Sequence, residues 1–389
     1  MITKARIEDW IRQVEAMPVA APLIIRQMAE RIIELDALNE KLRAENLQLE
    51  IGNRVKEYEK RINELEFQLS MLKRQLSSGE PQKEARFTLL LSNEKGQVLR
   101  ADLDSAQLED GAIITSLKGD PLGEAYSFQI LCASPYEQIL YLFSSGRTAT
   151  AALDSLPPSD LNSLSWQGAS LEEPRALEEL VALSAVARMS WYDCCVQLTR
   201  FGFARRISMN YLKTFITNNN VGKGTRYDFD RTFRLVLANP TDTLALAMKK
   251  GALFSQAVSG LPVSPTELVH PRAGDYLTSA FTITPDQSLV AITREGIAYV
   301  QPGEWLIPEN GQDHRTRRLF PEKDEEQQVI GAAAVSKEDW GFIFREDGSL
   351  MSFKISSLTN RRPIPISSSG KSASGVLAFS VYSPSNVTR

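Results

Sequence analysis

Two different hydrophobic periods divide the chain near residue 80. Up to that point apolar residues recur at three- and four-residue steps, the spacing of a helix face. Beyond it they come in short runs broken by Gly, Pro, Asn and Asp, the pattern of strands and turns. Residues 1–22 are predicted to form a short amphipathic helix with Ile7, Trp10, Ile11, Val14 and Met17 on one face, interrupted between Pro18 and Pro22. Residues 23–78 read as a coiled coil. Ile25, Ile32, Asn39 and Asn46 occupy a positions, and Met28, Leu35, Leu42 and Leu49 occupy d positions. Leucine at d with asparagine at a favours a parallel two-stranded coil, because paired Asn side chains satisfy one another only in that register. The register breaks near Ile51 and Gly52 and resumes through Val55, Tyr58, Ile62, Leu65, Leu69, Leu72 and Leu76. A DNA-reading zipper is excluded, since the residues before the seam (Arg26, Glu30, Arg31, Glu34) are mixed in sign. Self-association as a homodimer is expected, and the helix around Trp10 is a candidate contact for another protein.

Residues 79–86 form a hinge, and residues 87–384 repeat one pattern six times: an apolar strand, a polar turn, a second apolar strand, a glycine turn and a third strand. The turn glycines are Gly96, Gly146, Gly202, Gly251, Gly296 and Gly348, roughly fifty residues apart, as in propeller blades. The fold class is therefore an N-terminal α-helical coiled coil plus an all-β six-bladed propeller. The first copy lacks an opening strand, and Val376–Val381 near the C-terminus resembles one, so this strand is expected to complete the first blade and close the ring.

The best-preserved copy of the glycine turn, LTRFGFARRISMNYLKTF from Leu198 to Phe215, resembles the C-terminal domain of DNA gyrase A and of its topoisomerase IV equivalent. Lys249–Phe254 and Thr293–Ala298 are looser copies of the same turn. The resemblance covers residues 86–384 and implies a six-bladed pinwheel whose basic rim binds and bends DNA. The breakage-reunion domain that carries that family's catalytic tyrosine has no counterpart here. Arg226–Tyr227 echoes its arginine–tyrosine pair only superficially, from a linker between blades. The nearest match to the family's wrapping loop is Asn219–Gly224, which keeps Gly-Lys-Gly and lacks the arginines.

Charge sharpens this reading. The net charge of −4 excludes a uniformly basic nucleic-acid coat, yet the distribution is uneven. Acidic residues dominate from 101 to 180. Between 200 and 234 the sign reverses, with Arg200, Arg205, Arg206, Lys213, Lys223, Arg226, Arg231 and Arg234 against Asp228 and Asp230. Arg315, Arg317 and Arg318, then Arg361 and Arg362, lie in later linkers. All of these except Arg234 form the candidate DNA-contacting set, expected along one arc of the rim and suited to phosphate backbone rather than base edges. The alternative is a protein-interaction scaffold whose loops are merely solvated.

No catalytic constellation emerges. His270 and His314 lie in linkers without cysteines or paired carboxylates at ligand spacing, so neither a metal nor a cofactor is expected. A phosphate-binding P-loop and a nucleophile elbow are both missing. Three cysteines without a pairing framework, no apolar leader and no membrane-length apolar run lead to an expected cytoplasmic location, with nucleoid association possible.

Overall fold

The computed structural model describes residues 4–51, 86–117, 127–159, 174–175, 178–309, 313–321, 327–358, 363–366 and 374–384. The chain divides into two units, Met1–Lys83 and Glu84–Arg389.

In the first unit α1 (Lys4–Ala16) and a single 3-10 turn (Pro18–Ala20) precede α2 (Ala21–Ile51). The interruption is shorter than the two prolines suggest. Pro22 falls in the first turn of α2, where a missing N–H costs no intrahelical bond. Ile25, Met28, Ile32, Leu35 and Leu42 are all exposed on this single chain, as is Asn39. Asn46 and Leu49 sit on α2, but their side chains are outside the described residues, as are Val55, Tyr58, Ile62, Leu65, Leu69, Leu72 and Leu76.

The second unit is a six-bladed β-propeller. Its described residues form six antiparallel sheets, each built on one hairpin. The hairpins of blades one to three are β1 (Arg86–Asn93) with β2 (Val98–Asp104), β5 (Gln138–Phe143) with β6 (Thr148–Ala152), and β8 (Cys194–Thr199) with β9 (Phe203–Ser208). Blades four to six use β11 (Thr243–Met248) with β12 (Ala252–Ala257), β15 (Ser288–Thr293) with β16 (Ile297–Pro302), and β19 (Trp340–Arg345) with β20 (Ser349–Lys354). Each hairpin glycine has φ between +76° and +97°, a region that L side chains rarely adopt. At Gly146 a Cβ would also fall 2.0 Å from the carbonyl oxygen of Gly222. Gly146→Ala is therefore expected to cost about 2–3 kcal/mol of stability, read as a lower urea midpoint.

An inner strand lines the channel in every blade: β4 (Phe128–Ala133), β7 (Leu180–Ala185), β10 (Thr232–Ala238), β14 (Leu277–Ile283), β18 (Val329–Val335) and β22 (Val376–Tyr382). Each inner strand opens one copy of the repeat but pairs with the hairpin of the copy before it. Thus β4 opens the second copy and pairs with β1 (Leu90 opposite Leu131). This corrects the expected role of the C-terminal strand. β22 is the missing opening strand, yet it completes the sixth blade by pairing with β19 (Phe342 opposite Ser380). The first and last blades are joined instead by β3 (Ile113–Ser116), which follows the first hairpin and pairs with β20 of the sixth blade (Ser349 opposite Ser116). Outer strands β13 (Thr266–Glu267), β17 (His314–Arg318) and β21 (Ile364–Pro365) cross to the preceding blade in the same way. The stretch around His314, read as a linker, is therefore an edge strand.

Six apolar clusters fill the spaces between neighbouring blades. Between the last and the first, Phe87 packs with Phe342, Phe344 and Tyr382, and the Phe87 and Tyr382 rings stack at 3.9 Å. Trp340, Phe342 and Phe344 are core residues, whereas Trp191 lies on a 3-10 turn and is exposed.

Candidate nucleic-acid interface

The basic stretch from 200 to 234 folds as β9, then α3 (Met209–Thr217), then a loop returning to β10. The helix buries Met209 and Leu212 against the second and third blades and leaves Lys213 exposed. The loop after it is tied down from both sides. Val221 donates its N–H to Gly146 O of the second blade, and Gln197 and Thr232 of the third donate to Gly222 O. Arg205 completes this anchor, with Nε 2.8 Å from Gln197 Oε1 and Nη2 2.5 Å from Val221 O. Burial lowers its pKa. Its donors are used inside the fold, so Arg205 holds the loop that presents Lys223 and Arg226 and is not itself offered outward.

The other predicted residues separate into distinct groups. Arg226 is exposed and has no hydrogen bond or ion pair among the described residues. Lys223 reaches the fully exposed Asp228 at 3.4 Å, a contact that solvent screens. Arg206 is half-buried, with Nη1 3.4 Å from Ser259 O. Arg231 lies 3.8 Å from Glu179. Arg200 lines the channel, 4.2 Å above the Tyr276 ring. On the edge strand β17, Arg315 donates to Ile307 O at 2.7 Å and to Glu309, while Arg317 donates to Trp305 O at 3.2 Å. Both arginines are thus bound to the turn beside them, and Arg318 is exposed. Arg361 and Arg362 lie outside the described residues. Lys213, Lys223 and Arg226 therefore come from one helix and its following loop, whereas Arg315 and Arg317 spend donors on the turn beside them.

Sequence reasoning missed an aromatic cluster interleaved with these cations. Phe201, Tyr227 and Phe229 are exposed, with ring centroids 5.9 Å apart for Phe201–Phe229 and 5.3 Å for Tyr227–Phe229. Their spacing in a charged loop was the available signal. On the acidic side, Arg147 binds Glu178 at 2.9 Å. Burial alone would raise the Glu178 carboxyl. Hydrogen bonds from Ser145, Arg147 and the Arg175 backbone, with the Arg147 charge, overcome this and hold it below its usual range.

This arrangement of blades has solved counterparts. In fold, the propeller is similar to the C-terminal domain of DNA gyrase A. That likeness has a TM-score of 0.55 at 12% identity, covering 76% of this chain and 99% of the other. The C-terminal domain of DNA topoisomerase IV matches with a TM-score of 0.47 at 14% identity, over 76% of this chain and 93% of that one. The E. coli ParC C-terminal domain matches at 0.37 and 13%, over 64% and 99%. No protein-family model and no curated protein matches the sequence. The gyrase-like turn can now be read physically. Thr199 Oγ1 accepts the Phe203 N–H at 3.0 Å, Gly202 supplies the positive φ, and Arg200 between them links two blades. Its N–H donates to Arg231 O and its carbonyl accepts from Leu277, both at 3.0 Å. The motif thus encodes the hairpin tip and the joint to the next blade.

Among the described residues no three His, Cys, Asp or Glu side chains cluster to hold a metal ion, and no helix is long and apolar enough to cross a membrane. The three cysteines are buried, and burial pushes the Cys132 thiol up to about 12, far from thiolate reactivity. Tyr227 of the Arg226–Tyr227 pair packs on Phe203 and Phe229.

Proposed function

We propose that this chain is a non-catalytic DNA-binding protein, a coiled-coil dimer whose propeller contacts duplex backbone through a basic rim at the third blade. The observation that carries this reading is the outward presentation of Lys213, Lys223 and Arg226 by α3 and its anchored loop, in a chain of net charge −4. The gyrase-like fold supports it. Such contacts hold phosphates without reading bases, so binding falls steeply with salt and is indifferent to sequence. A dimer presents two such rims, which raises avidity if both reach one duplex. Association with the nucleoid follows from this reading.

A gel shift of a labelled duplex by the full chain at near-physiological salt tests it, and a shift confined to very low salt decides for a protein-interaction scaffold. The exposed Tyr227 and Phe229 favour that second reading, since aromatic residues are enriched at protein interfaces. Another protein docked through α1 fits either case. Dimerisation is tested separately. Leu35→Asp with Leu42→Asp places charge in the seam at two d positions and is expected to convert a two-chain particle to a single chain in sedimentation velocity.

A further inference from the structure

The six inner strands enclose a channel of about 750 Å³. Its wall mixes polar residues with apolar ones such as Leu131, Val181, Leu183, Phe281, Ile330 and Phe379. Arg234 on β10 lines the channel, and Arg200 and Lys249, which follow the central strands of neighbouring hairpins, line it too. Two rings connect these cations. Phe233 lies 5.6 Å from the Arg234 guanidinium and 5.1 Å from that of Arg200. Tyr276 lies 4.2 Å from Arg200 and 5.2 Å from the Lys249 ammonium.

None of the three side chains has a hydrogen bond or an ion pair among the described residues. The fold neutralises other cations of this face, pairing Arg231 with Glu179 and Arg294 with Glu346. The nearby carboxylates bind backbone. Asp230 accepts the N–H groups of Phe201 and Arg231 on one oxygen, its other oxygen being buried without a partner, Asp275 accepts those of Lys250 and Tyr276, and Glu94 accepts that of Ser127. Burial and the neighbouring Arg200 charge both lower the Arg234 pKa.

We infer that this part of the channel binds a small, multiply charged phosphate anion of the triphosphate class. Arg234 and Arg200 supply planar forks that match phosphate oxygens, and Lys249 adds a point charge. The same chemistry could be met by a free polyphosphate or by the backbone of DNA, and the test separates them.

Calorimetric titration of the full chain with sodium tripolyphosphate is expected to show saturable binding. Arg234→Met should weaken it at least about tenfold, the loss expected for hydrogen bonds to a charged group. Lys249→Gln should weaken it several-fold and provides the test if Arg234→Met fails to melt cooperatively. The combined variant Lys213→Glu, Lys223→Glu, Arg226→Glu should bind tripolyphosphate within about twofold of the parent, because salt screens separated charges. No saturable binding by the parent chain, or unchanged binding in Arg234→Met and Lys249→Gln, overturns the proposal. An equal loss in the rim variant also overturns it and assigns the phosphate to the DNA-contacting surface. Failure of the parent chain to bind duplex would leave this result intact.

Discussion

Ending the chain at Ser374 is expected to abolish cooperative melting of the propeller. The deletion removes β22, the inner strand of the sixth blade, and exposes the paired edge of β19. Val376, Ala378 and Tyr382 are buried, Val376 in the cluster between the fifth and sixth blades and the other two between the sixth and the first. Their burial contributes roughly 5–7 kcal/mol together, before the cavity they leave and the lost ladder bonds are added. That is comparable with the whole stability of about 5–15 kcal/mol typical of a folded domain. Phe87 would lose its stacking partner, so the first blade is affected although β22 does not pair with it. Circular dichroism on heating should show a broad, low transition in the truncated chain. A midpoint equal to that of the full chain would contradict the strand assignment.

Replacing Lys213, Lys223 and Arg226 together by Glu is expected to weaken duplex binding by at least about a hundredfold at near-physiological salt. Each phosphate contact contributes roughly 1 kcal/mol there through counterion release, and reversal adds repulsion to the loss. Arg205 is left in place because its guanidinium anchors the loop on Val221 and Gln197, and its replacement would confuse unfolding with lost contact. The three chosen side chains are exposed, so stability should change by no more than about 0.5 kcal/mol per site. Anisotropy titration beside a urea melt of the same variant separates the two effects. Unchanged affinity would remove this face from the proposal.

The propeller was legible because its hairpin tips demand particular residues. A positive φ at six positions selects Gly, and the tip at Thr199 and Gly202 carries a threonine whose hydroxyl caps the turn. Which blade an opening strand serves was not legible. The β4 pattern buries the same apolar residues whether it pairs with β1 or with β5, and only the four residues from Ser134 to Glu137 decide that the chain crosses to the next blade. Edge strand β17 was also hidden, since His-Arg-Thr-Arg-Arg carries no apolar alternation. α3 was not legible as a separate helix because Met209 and Leu212 continue the apolar run of β9.

For the candidate site, charge sign along the chain was readable and donor use was not. Arg205, Arg315 and Arg317 resemble Arg226 in sequence, yet each donates to a backbone carbonyl a few residues or one loop away. Lys249 was read as part of a hairpin turn and Arg234 as one charge of a basic stretch. Only the ring of inner strands shows that both line a channel.

The most direct test of the central claim is the salt dependence of duplex affinity for the full chain. Three rim cations engaging three phosphates predict a log–log slope of roughly −3, or steeper if both rims of a dimer engage, with the slope falling toward zero in the charge-reversed variant. Affinity that does not change with salt, or no binding at near-physiological salt, would contradict a backbone-binding rim.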